Sequence, residues 1–565
     1  MISIDQAHAQ LTVPGSPFEI EEVVIRGIPT KTWKNAPPTM RTHLERAKTH
    51  GDATFIVYED ERTTFAELHA AASTFARRLV EDFGVTKGDR VAIAMRNFPE
   101  WPVAFWGAAS VGAVVVPLNA WWTGAELEYG LSDSGTKVLV ADGERMERLA
   151  DHFAALPGLT AITVRGDGPL QWTEVLGGVD PDAEPPPDPG IEPDDEATIF
   201  YTSGTTGRPK GALGTHRNFT TNLMSLTFAG ARSALRSRSA DPEAAPPAPP
   251  APPAAPVASG QNASLLSVPF FHATGCHSVL QGATWAGNKL VLMHKWNPER
   301  ALELIERERV TNFGGVPSMV WQVLQSPDFA KRDISSVQGI GYGGAPAPPE
   351  LVRKIAEMFP GKLPSNGYGL TETSSLSTSN SGADYQRKPD SVGAPVAVVD
   401  VKLVEDELWI KGPNVVKGYW NKPEATAAAF TDGWLHTGDL ARIDDEGFVF
   451  IVDRAKDMII RGGENVYCSE VESALFEHDA VMDAAIVGIP DLVLGEEVGA
   501  VVQLKPGRTA TAEELQAHVR ERLAGFKVPV KVWFRDADLP RNPAGKVLKR
   551  ELREELGLVE PGPAG

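Results

Sequence analysis

Residues 201–211 read YTSGTTGRPKG and follow the apolar run Ala197–Phe200, which predicts a strand. Small residues in this segment would let backbone N–H groups approach a polyphosphate closely, and its hydroxyls and the Lys210 ammonium would add donors. It is not a Walker A loop, because Pro209 precedes Lys210 and Gly211 follows it. A flexible linker would rarely combine a preceding strand with this composition. The segment therefore predicts a phosphate-binding loop.

Helix and strand patterns alternate on either side of this loop. Thr64 and Glu67 have the spacing of a capping box, and apolar residues on one helical face follow them. Arg90–Ala94 is a strand candidate, and Asn297-Pro298 has the N-cap and first-turn residues of another helix. This alternation predicts an α/β fold of layered sheets and helices, with largely parallel sheets.

The composition excludes several classes of protein. The chain has 565 residues, enough to bury a sizeable core and to hold several domains. Its formal net charge of −20 argues against a nucleic-acid binder, since phosphate backbones recruit surplus Lys and Arg. Cys276 and Cys468 are the only cysteines, so neither a disulfide framework nor a Cys-based zinc site is expected, which favours the cytoplasm.

No membrane segment is expected either. The N-terminus lacks the basic start and apolar run of a secretory signal. Trp101–Trp122 carries no charged residue, but Pro102 and Pro117 interrupt it. A short buried helix followed by a buried strand, Ala113–Leu118, explains this stretch better than a membrane span.

Two changes of pattern divide the chain. Residues 233–260 form an insertion that is almost entirely Pro and Ala from Glu243 to Ser259, which predicts a disordered surface segment in preference to a docking site. A boundary near Asp453–Asp457 predicts an N-terminal domain at 1–453 and a small α+β domain at 454–565. The small domain should contain a strand at Ala484–Val487 and a helix that starts at Thr511 and ends at Gly525.

Six further motifs follow the phosphate loop in a fixed order. They are GGAP at 343–346, NGYGLTE at 366–372, DGWLHTGDL at 432–440, VDRAKD at 452–457, RGGEN at 461–465 and PRNPAGKVLK at 540–549. In this order the motifs resemble the adenylate-forming superfamily of acyl-CoA synthetases, luciferases and peptide-synthetase adenylation domains, closest to the ligases of fatty or other hydrophobic acids. The resemblance implies a large domain and a small mobile domain joined by a hinge, with ATP, Mg²⁺ and CoA.

The resemblance also implies a nucleotide site. It assigns ATP or AMP binding to Thr202, Ser203, Gly204, Thr205, Thr206, Gly207, Lys210, Gly344, Ala345, Pro346, Asn366, Gly367, Tyr368, Gly369, Thr371, Asp439, Arg454 and Lys546. Tyr368 would stack on adenine, and Asp439 and Arg454 would contact the ribose, although a turn-stabilising Asp439 is the alternative. Glu372, with the Thr202 hydroxyl, would hold Mg²⁺, which prefers carboxylate and phosphate oxygens.

Three residues would act on the reacting groups. Lys546 would bridge the substrate carboxylate and the α-phosphate, because a positioned ammonium offsets the repulsion between two anions. Thr371 would bond the α-phosphate beside the metal ligand Glu372. The residues that follow Lys546, namely Lys549, Arg550 and Arg553, are expected to form a solvated helix face.

The motifs at the domain boundary imply a rotation of the small domain. Lys456 stands at the family's hinge position. Gly462 and Gly463 would then leave room for the pantetheine arm of CoA, with a simple β-turn as the alternative for these two glycines.

An acyl pocket is implied around His272, Thr274, Gly275, Gly315, Val316 and Gly344. His272 matches an aromatic gate beside the substrate carboxylate, although a packed, non-catalytic histidine is the alternative. No carboxylate lies between Pro269 and Gly282, so nothing there would pair the ammonium of an amino acid. Small residues from Gly341 to Pro346 suggest a roomy apolar pocket.

These features together predict an AMP-forming carboxylate–CoA ligase for a long-chain or bulky hydrophobic acid. One alternative keeps the adenylation but loads the phosphopantetheine of a carrier protein. Another is a non-catalytic nucleotide-binding scaffold, which should have lost motif residues such as Lys210 and Lys546. The expected partners are the acid, ATP and CoA, without nucleic acid, and a homodimer is left open.

Overall fold

The computed structural model describes residues 1–202, 208–240, 260–344, 347, 349–359, 362, 364–454, 457–462, 464–542 and 545–558. It is a mixed α/β structure with a large N-terminal and a small C-terminal domain. The α-helices span Ile4–Leu11, Arg41–Lys48, Phe65–Glu81, Glu100–Ser110, Gly124–Ser134, Gly143–Leu149, Trp172–Leu176, His216–Ala240, Gln281–Ala286, Pro298–Arg307, Pro317–Gln325, Pro349–Met358, Ala383–Arg387, Pro423–Ala429, Cys468–Phe476, Ala512–Arg520 and Lys549–Glu555. The remaining helical turns are 3₁₀ at Ala150–Ala155, Phe329–Lys331, Thr371–Thr373 and Gly525–Lys527, and π at Thr274–Leu280.

A seven-stranded sheet carries the strands on both sides of the predicted phosphate loop. In spatial order its strands are Gly418–Tyr419, Lys210–Thr215, Glu196–Thr202, Val114–Pro117, Arg90–Ala94, Val138–Asp142 and Thr160–Val164. The last five run parallel, whereas Lys210–Thr215 pairs antiparallel with both of its neighbours.

A nine-stranded sheet carries the motifs at 343–346 and 366–372. Its strands, in spatial order, are Ala394–Pro395, Thr378–Ser381, Pro364–Tyr368, Gly339–Gly343, Asn312–Gly315, Ala263–Leu266, Lys289–Leu292, Thr54–Tyr58 and Glu61–Thr64. The six consecutive strands from Pro364–Tyr368 to Thr54–Tyr58 are parallel. The expectation of largely parallel sheets is therefore confirmed for both large sheets.

Two five-stranded sheets flank the expected domain boundary. The first contains Asp400–Val404, Glu407–Lys411, Trp434–Ile443, Phe430–Thr431 and Val449–Arg454. The second, in the small domain, contains Glu464–Val466, Ile459–Arg461, Gly495–Leu504, Val481–Asp491 and Lys531–Phe534. An N-terminal hairpin, Ile20–Ile25 with Ile28–Trp33, is separate from all of these sheets.

One hydrophobic core joins the two large sheets. It takes side chains from strands of both sheets and from the helices Phe65–Glu81 and Glu100–Ser110. The two helices approach each other at Gly107, where an added Cβ would lie 2.8 Å from the carbonyl oxygen of Ala72 and 2.9 Å from the Phe75 ring. Real Cβ contacts are not that short, so glycine is required at this crossing.

Several local predictions are confirmed because they depend on neighbouring residues alone. Thr64 caps its helix through a complete capping box with Glu67, and the Asn297 side chain accepts from the backbone of the helix Pro298–Arg307. Within Trp101–Trp122, the structure has a buried helix, Glu100–Ser110, and a buried strand, Val114–Pro117. In the described ranges, no helix combines the length and apolar character needed to cross a membrane.

Two predicted boundaries are wrong. The helix capped by Thr511 ends at Arg520, and Gly525 instead begins a separate 3₁₀ turn. The insertion was expected to begin at residue 233, but the helix His216–Ala240 continues through residues 233–240, and Arg236 forms a buried ion pair with Asp384. Residues 241–259, which hold the Pro/Ala run, lie outside the described residues.

Candidate active site

The predicted phosphate loop lies between two paired antiparallel strands. Thr202 is the register partner of Lys210, and its hydroxyl donates to the Lys210 carbonyl at 3.4 Å. The Lys210 ammonium lies 5.2 Å from the centre of the Tyr419 ring. Ser203, Gly204, Thr205, Thr206 and Gly207 lie outside the described residues. The strands nevertheless bring Lys210 and Thr202 to one end of the seven-stranded sheet.

Glu372 lies at that same end. The Tyr419 hydroxyl donates to Glu372 Oε1 at 2.8 Å, and burial together with the Glu372 charge raises the pKa of Tyr419. Tyr419, which sequence reasoning missed, thus connects Glu372 to Lys210. No spacing signal links residues 372 and 419, which meet because Gly418–Tyr419 pairs with Lys210–Thr215.

The donor set around Glu372 fits a hard cation. The Glu372 carboxylate, together with the Thr202 hydroxyl that the motifs assign to the metal, would suit an ion such as Mg²⁺, which keeps waters and phosphate oxygens for its remaining positions. Among the described residues, no three His, Cys, Asp or Glu side chains form a metal cluster. The chain's own residues would therefore hold Mg²⁺ only together with a polyphosphate.

Tyr368, Asp439 and Arg454 form what we call the Asp439 corner. The Tyr368 hydroxyl donates to Asp439 Oδ2 at 2.6 Å, and Arg454 Nε donates to Asp439 Oδ1 at 2.9 Å. Asp439 and Arg454 are register partners on adjacent strands, so the backbone fixes the ion pair. Burial opposes the charge of Arg454, but Asp439 raises its pKa above the ordinary value. The motifs at 366–372, 432–440 and 452–457 thus meet at this corner.

Strained backbone follows Thr371 and Glu372. These residues lie in the 3₁₀ turn Thr371–Thr373, after which Ser374 and Ser375 have φ of 49° and 89°. Non-glycine residues rarely adopt such angles, and the surrounding structure must hold them. The chain doubles back so tightly here that a Cβ on Gly369 would overlap the Ser375 carbonyl.

The glycines near the corner have different roles. A Cβ on Gly343 would lie 2.5 Å from the Gly367 carbonyl oxygen, so this glycine allows close approach of two strands. Around the Cβ position of Gly344, which has φ of 77°, no atom of the described residues lies within 4 Å. Gly341, with the Ser365 hydroxyl 3.1 Å from its Cβ position, does not contribute the room that was expected. Ala345 and Pro346 lie outside the described residues, and Asn366 is buried in its strand.

The predicted acyl segment contains a partly buried histidine, His272. Burial lowers the pKa of His272 to about 4, and its Nε2 atom is buried without a hydrogen bond to the described residues. Thr274 begins the π-helix Thr274–Leu280, a rare helix type that is frequent at functional sites. Gly275 packs on the Pro269 carbonyl and Gly315 on the Ser267 hydroxyl, so both glycines are needed for packing.

The C-terminal loop reaches the predicted acyl pocket at Val316. Gly545 is buried against the Val316 side chain, with no room for a Cβ. Lys546 follows directly, so the loop that carries it meets the strand and helix around Val316. The residues expected at the acyl pocket and at the C-terminal loop therefore lie side by side.

The small domain corrects one prediction and leaves another outside the described residues. Lys549 is not on a solvated face, since its ammonium pairs with Glu472 Oε1 at 2.8 Å and both side chains are 19% exposed. Lys456 and Gly463 lie outside the described residues. Gly462, with φ of 59°, connects the paired strands Ile459–Arg461 and Glu464–Val466, which is consistent with the β-turn alternative.

We call the group around Lys549 the Lys549 cluster; it comprises Asp453, Cys468, Glu472 and Lys549. Asp453 accepts from the backbone N–H of Cys468 at the start of the helix Cys468–Phe476. Burial raises the pKa of Asp453 from 3.8 to about 6, and burial also raises the pKa of Cys468 to about 12. Sequence reasoning assigned none of these four residues to a shared site.

Comparison with known proteins agrees with this geometry. Residues 44–420 match the family described as AMP-binding enzyme, and residues 470–546 match its C-terminal domain. The chain belongs to the AMP-binding enzyme family. It is thus a member of the adenylate-forming superfamily, as its motif order predicted.

Three similar proteins span nearly the whole chain. A feruloyl-CoA synthase of Amycolatopsis sp is 35% identical, covering 91% of this chain and 98% of its own. A long-chain-fatty-acid–CoA ligase of Bacillus subtilis is 34% identical, covering 89% and 92%. The structure of o-succinylbenzoate CoA synthetase from Bacillus subtilis with an acyl-adenylate is 31% identical, with a TM-score of 0.74 over 92% and 98% of the two chains.

These similarities identify the class of enzyme. The chain is an AMP-forming acid–CoA ligase that uses ATP and CoA. The hypothesis of a non-catalytic scaffold is therefore wrong. The expected two-domain α/β fold is confirmed.

Proposed function

We propose that this AMP-binding enzyme activates a bulky, hydrophobic carboxylic acid as its acyl-adenylate and transfers the acyl group to CoA. The observation that carries the proposal is the contact between Gly545 and Val316, which brings the Lys546 loop against the predicted acyl pocket. An acid bound there would have its carboxylate near the Lys546 ammonium, and the ribose of ATP would lie at the Asp439 corner.

In the first step, a carboxylate oxygen attacks the α-phosphorus of ATP and pyrophosphate leaves. Lys546 would lower the repulsion between the two anions, and Thr371 would bond the α-phosphate. Asp439 would accept from ribose hydroxyls through lone pairs that Tyr368 and Arg454 leave open, because a carboxylate offers about four acceptor positions. When bound, Mg²⁺ near Glu372 would neutralise phosphate charge.

In the second step, the CoA thiol attacks the acyl carbonyl and AMP leaves as the thiol loses its proton. We propose that the small domain rotates about Lys456 between the steps, so that the segment with Gly462 and Gly463 replaces the Lys546 loop. The contact of Gly545 with Val316 is expected to exist only in the arrangement of the first step.

The lining of the acyl segment supports a hydrophobic acid. Phe270 and Phe271 are buried there, and His272 is neutral at physiological pH because burial lowers its pKa to about 4. No Lys, Arg, Asp or Glu lies between Pro269 and Gly282, so this segment offers no counter-charge to a charged substrate tail. Relatives named for ferulate and for long-chain fatty acids support both aromatic and aliphatic acids of this kind.

The test is a CoA-dependent screen of AMP and pyrophosphate release over acetate, laurate, palmitate, ferulate and a polycyclic acid. We expect the fastest release with one of the four larger acids. A preference for acetate would contradict the hydrophobic pocket. Products limited to ADP and phosphate would contradict adenylation itself.

A carrier protein is the alternative acceptor. Parallel reactions with free CoA and with a holo-carrier protein separate the two acceptors. Consumption of CoA without acylation of the carrier is the expected result, and the opposite result would assign the enzyme to carrier loading.

A further inference from the structure

The loop that carries Lys546 is closed by a small set of hydrogen bonds. The Asn542 N–H donates to the Lys546 carbonyl at 2.9 Å, and the Lys546 N–H donates to Asn542 Oδ1 at 2.9 Å. Arg541 and Val547 form an antiparallel bridge outside these bonds. The loop is therefore a hairpin whose tip holds Gly545 and Lys546.

Arg541 ties this tip to the sheet of the small domain. Its Nη1 donates to the Gly545 carbonyl at 2.6 Å, and its Nη2 donates to Asp483 Oδ2 at 2.6 Å. Asp483 belongs to the strand Val481–Asp491 at the edge of the sheet, which pairs antiparallel along its length with Gly495–Leu504. One guanidinium thus connects a hydrogen-bonded strand of the sheet to the peptide unit that precedes Lys546.

The ion pair is largely removed from water. The side chains of Arg541 and Asp483 are 26% and 16% exposed. Burial raises the pKa of Asp483, while the Arg541 charge opposes that rise. Each partner is therefore costly to leave alone, since an isolated buried charge is destabilising.

We propose that Arg541, anchored by Asp483, is a positioning residue that sets the height and direction of Lys546 in the adenylation step. The inference rests on the proposed role of Lys546. The two Nη groups of Arg541 donate to the Gly545 carbonyl and to Asp483. Arg541 acts by fixing the Gly545 carbonyl, and so the backbone from which the lysine extends.

The shape of the guanidinium is essential to this role. A planar fork can donate to two acceptors at once, whereas a lysine ammonium is a compact charge on a flexible stem. Arg541→Lys should therefore keep the charge near Asp483 and still lose the fixed carbonyl of Gly545. A purely electrostatic role would be rescued by lysine.

The activity test separates the two half-reactions in the full-length enzyme, with laurate or ferulate, whichever the wild type uses faster. Lys546→Ala should lower ATP–pyrophosphate exchange by roughly 10²–10³-fold. Arg541→Ala should lower it by about 10-fold or more, through kcat, while thioester formation from supplied acyl-adenylate and CoA stays within about 2-fold. Equal losses in both half-reactions would overturn the proposal, because they indicate a general defect.

A double variant tests whether Arg541 acts through Lys546. In a Lys546→Ala background, Arg541→Ala should cause little further loss, since the positioned group is already gone. A full additional loss would show that Arg541 acts independently and would overturn the proposal. Arg550→Ala is the matched control, because Arg550 lies in the same segment and is 79% exposed.

A structural readout does not depend on activity. Cleavage after Lys546 by a lysine-specific protease should be several-fold faster in Arg541→Ala and in Asp483→Asn than in the wild type and in Arg550→Ala. Unchanged cleavage in both variants would overturn the inference even if the enzyme proved active. An inactive wild type with altered cleavage would instead contradict the proposed function alone. Asp483→Asn keeps the side-chain volume and serves as the readout if Arg541→Ala does not fold.

Discussion

Two neighbouring residues belong to different groups, Arg454 to the Asp439 corner and Asp453 to the Lys549 cluster, and each group contains a short ion pair. The Arg454–Asp439 pair measures 2.9 Å and the Lys549–Glu472 pair 2.8 Å. Their surroundings differ. The Arg454 side chain is about a third exposed, whereas a backbone N–H of Ile486 also donates to Glu472 in the cluster. Ion-pair distance alone therefore does not identify a ligand site; an exposed partner and a converging set of motifs do.

The largest expected loss of activity follows from a substitution at the Asp439 corner. Asp439→Ala should lower kcat/KM for ATP by roughly 10²-fold, because it removes both a ribose acceptor and the partner of Arg454. ATP–pyrophosphate exchange measures this loss. Asp444→Ala is a suitable control, since Asp444 pairs with Lys388 in a neighbouring turn of the same sheet. Equal losses in the two variants would contradict a nucleotide role for the corner.

Lys549→Met should instead affect stability. Removing one member of a buried pair leaves Glu472 uncompensated and should cost about 2–3 kcal/mol of unfolding free energy. Arg550→Met, which breaks the exposed Arg550–Glu554 pair, should cost under about 0.5 kcal/mol. Thermal melting of both variants checks the difference. A loss of adenylation in Lys549→Met without a lower melting temperature would show that the cluster belongs to the active site.

The next effect is the pH dependence of folding stability that Asp453 contributes. Because the folded pKa of Asp453 is about 6 and its ordinary value is 3.8, the folded protein binds more protons than the unfolded chain between these values. This group therefore favours folding below pH 3.8, and that contribution is lost as pH rises to about 6.

Asp453→Asn should remove this dependence while its side-chain oxygen still accepts from Cys468. Relative to wild type, the variant should gain about 2–4 °C in melting temperature between acidic and neutral pH. Melting curves at several pH values measure it. If the difference in melting temperature between variant and wild type stays constant across this range, the pKa of Asp453 is not raised in the folded protein.

The smallest expected effect is at His272. With a pKa of about 4, this side chain is neutral from about pH 5.5 to about pH 8, where an ordinary histidine would titrate. The pH profile of adenylation in His272→Phe should therefore have the same shape as that of the wild type, whatever its height. A step near the ordinary histidine value that disappears in the variant would mean that His272 is exposed to solvent during the reaction.

The sequence predicted the site residues that lie inside contiguous motifs and missed those that reach the site only through the fold. Asp439, Arg454 and Glu372 each lie in a contiguous motif whose order indicated the family. Tyr419 lies in no such motif and reaches Glu372 only because a two-residue strand pairs with Lys210–Thr215. Lys549 appeared solvated because its neighbours Arg550 and Arg553 are charged, but its partner Glu472 is distant in sequence.

By itself, the sequence determined the α/β class, the helix caps, the ordered motifs and hence the adenylate-forming family, since these depend on neighbouring residues or on motif order. The tertiary structure decided which charged groups form ion pairs and which glycines pack closely against other atoms. Gly343 and Gly275 are packed against backbone carbonyls, and Arg541 meets Asp483 within the small domain. Such contacts depend on how sheets and loops pack together, and residue spacing carries no record of that packing.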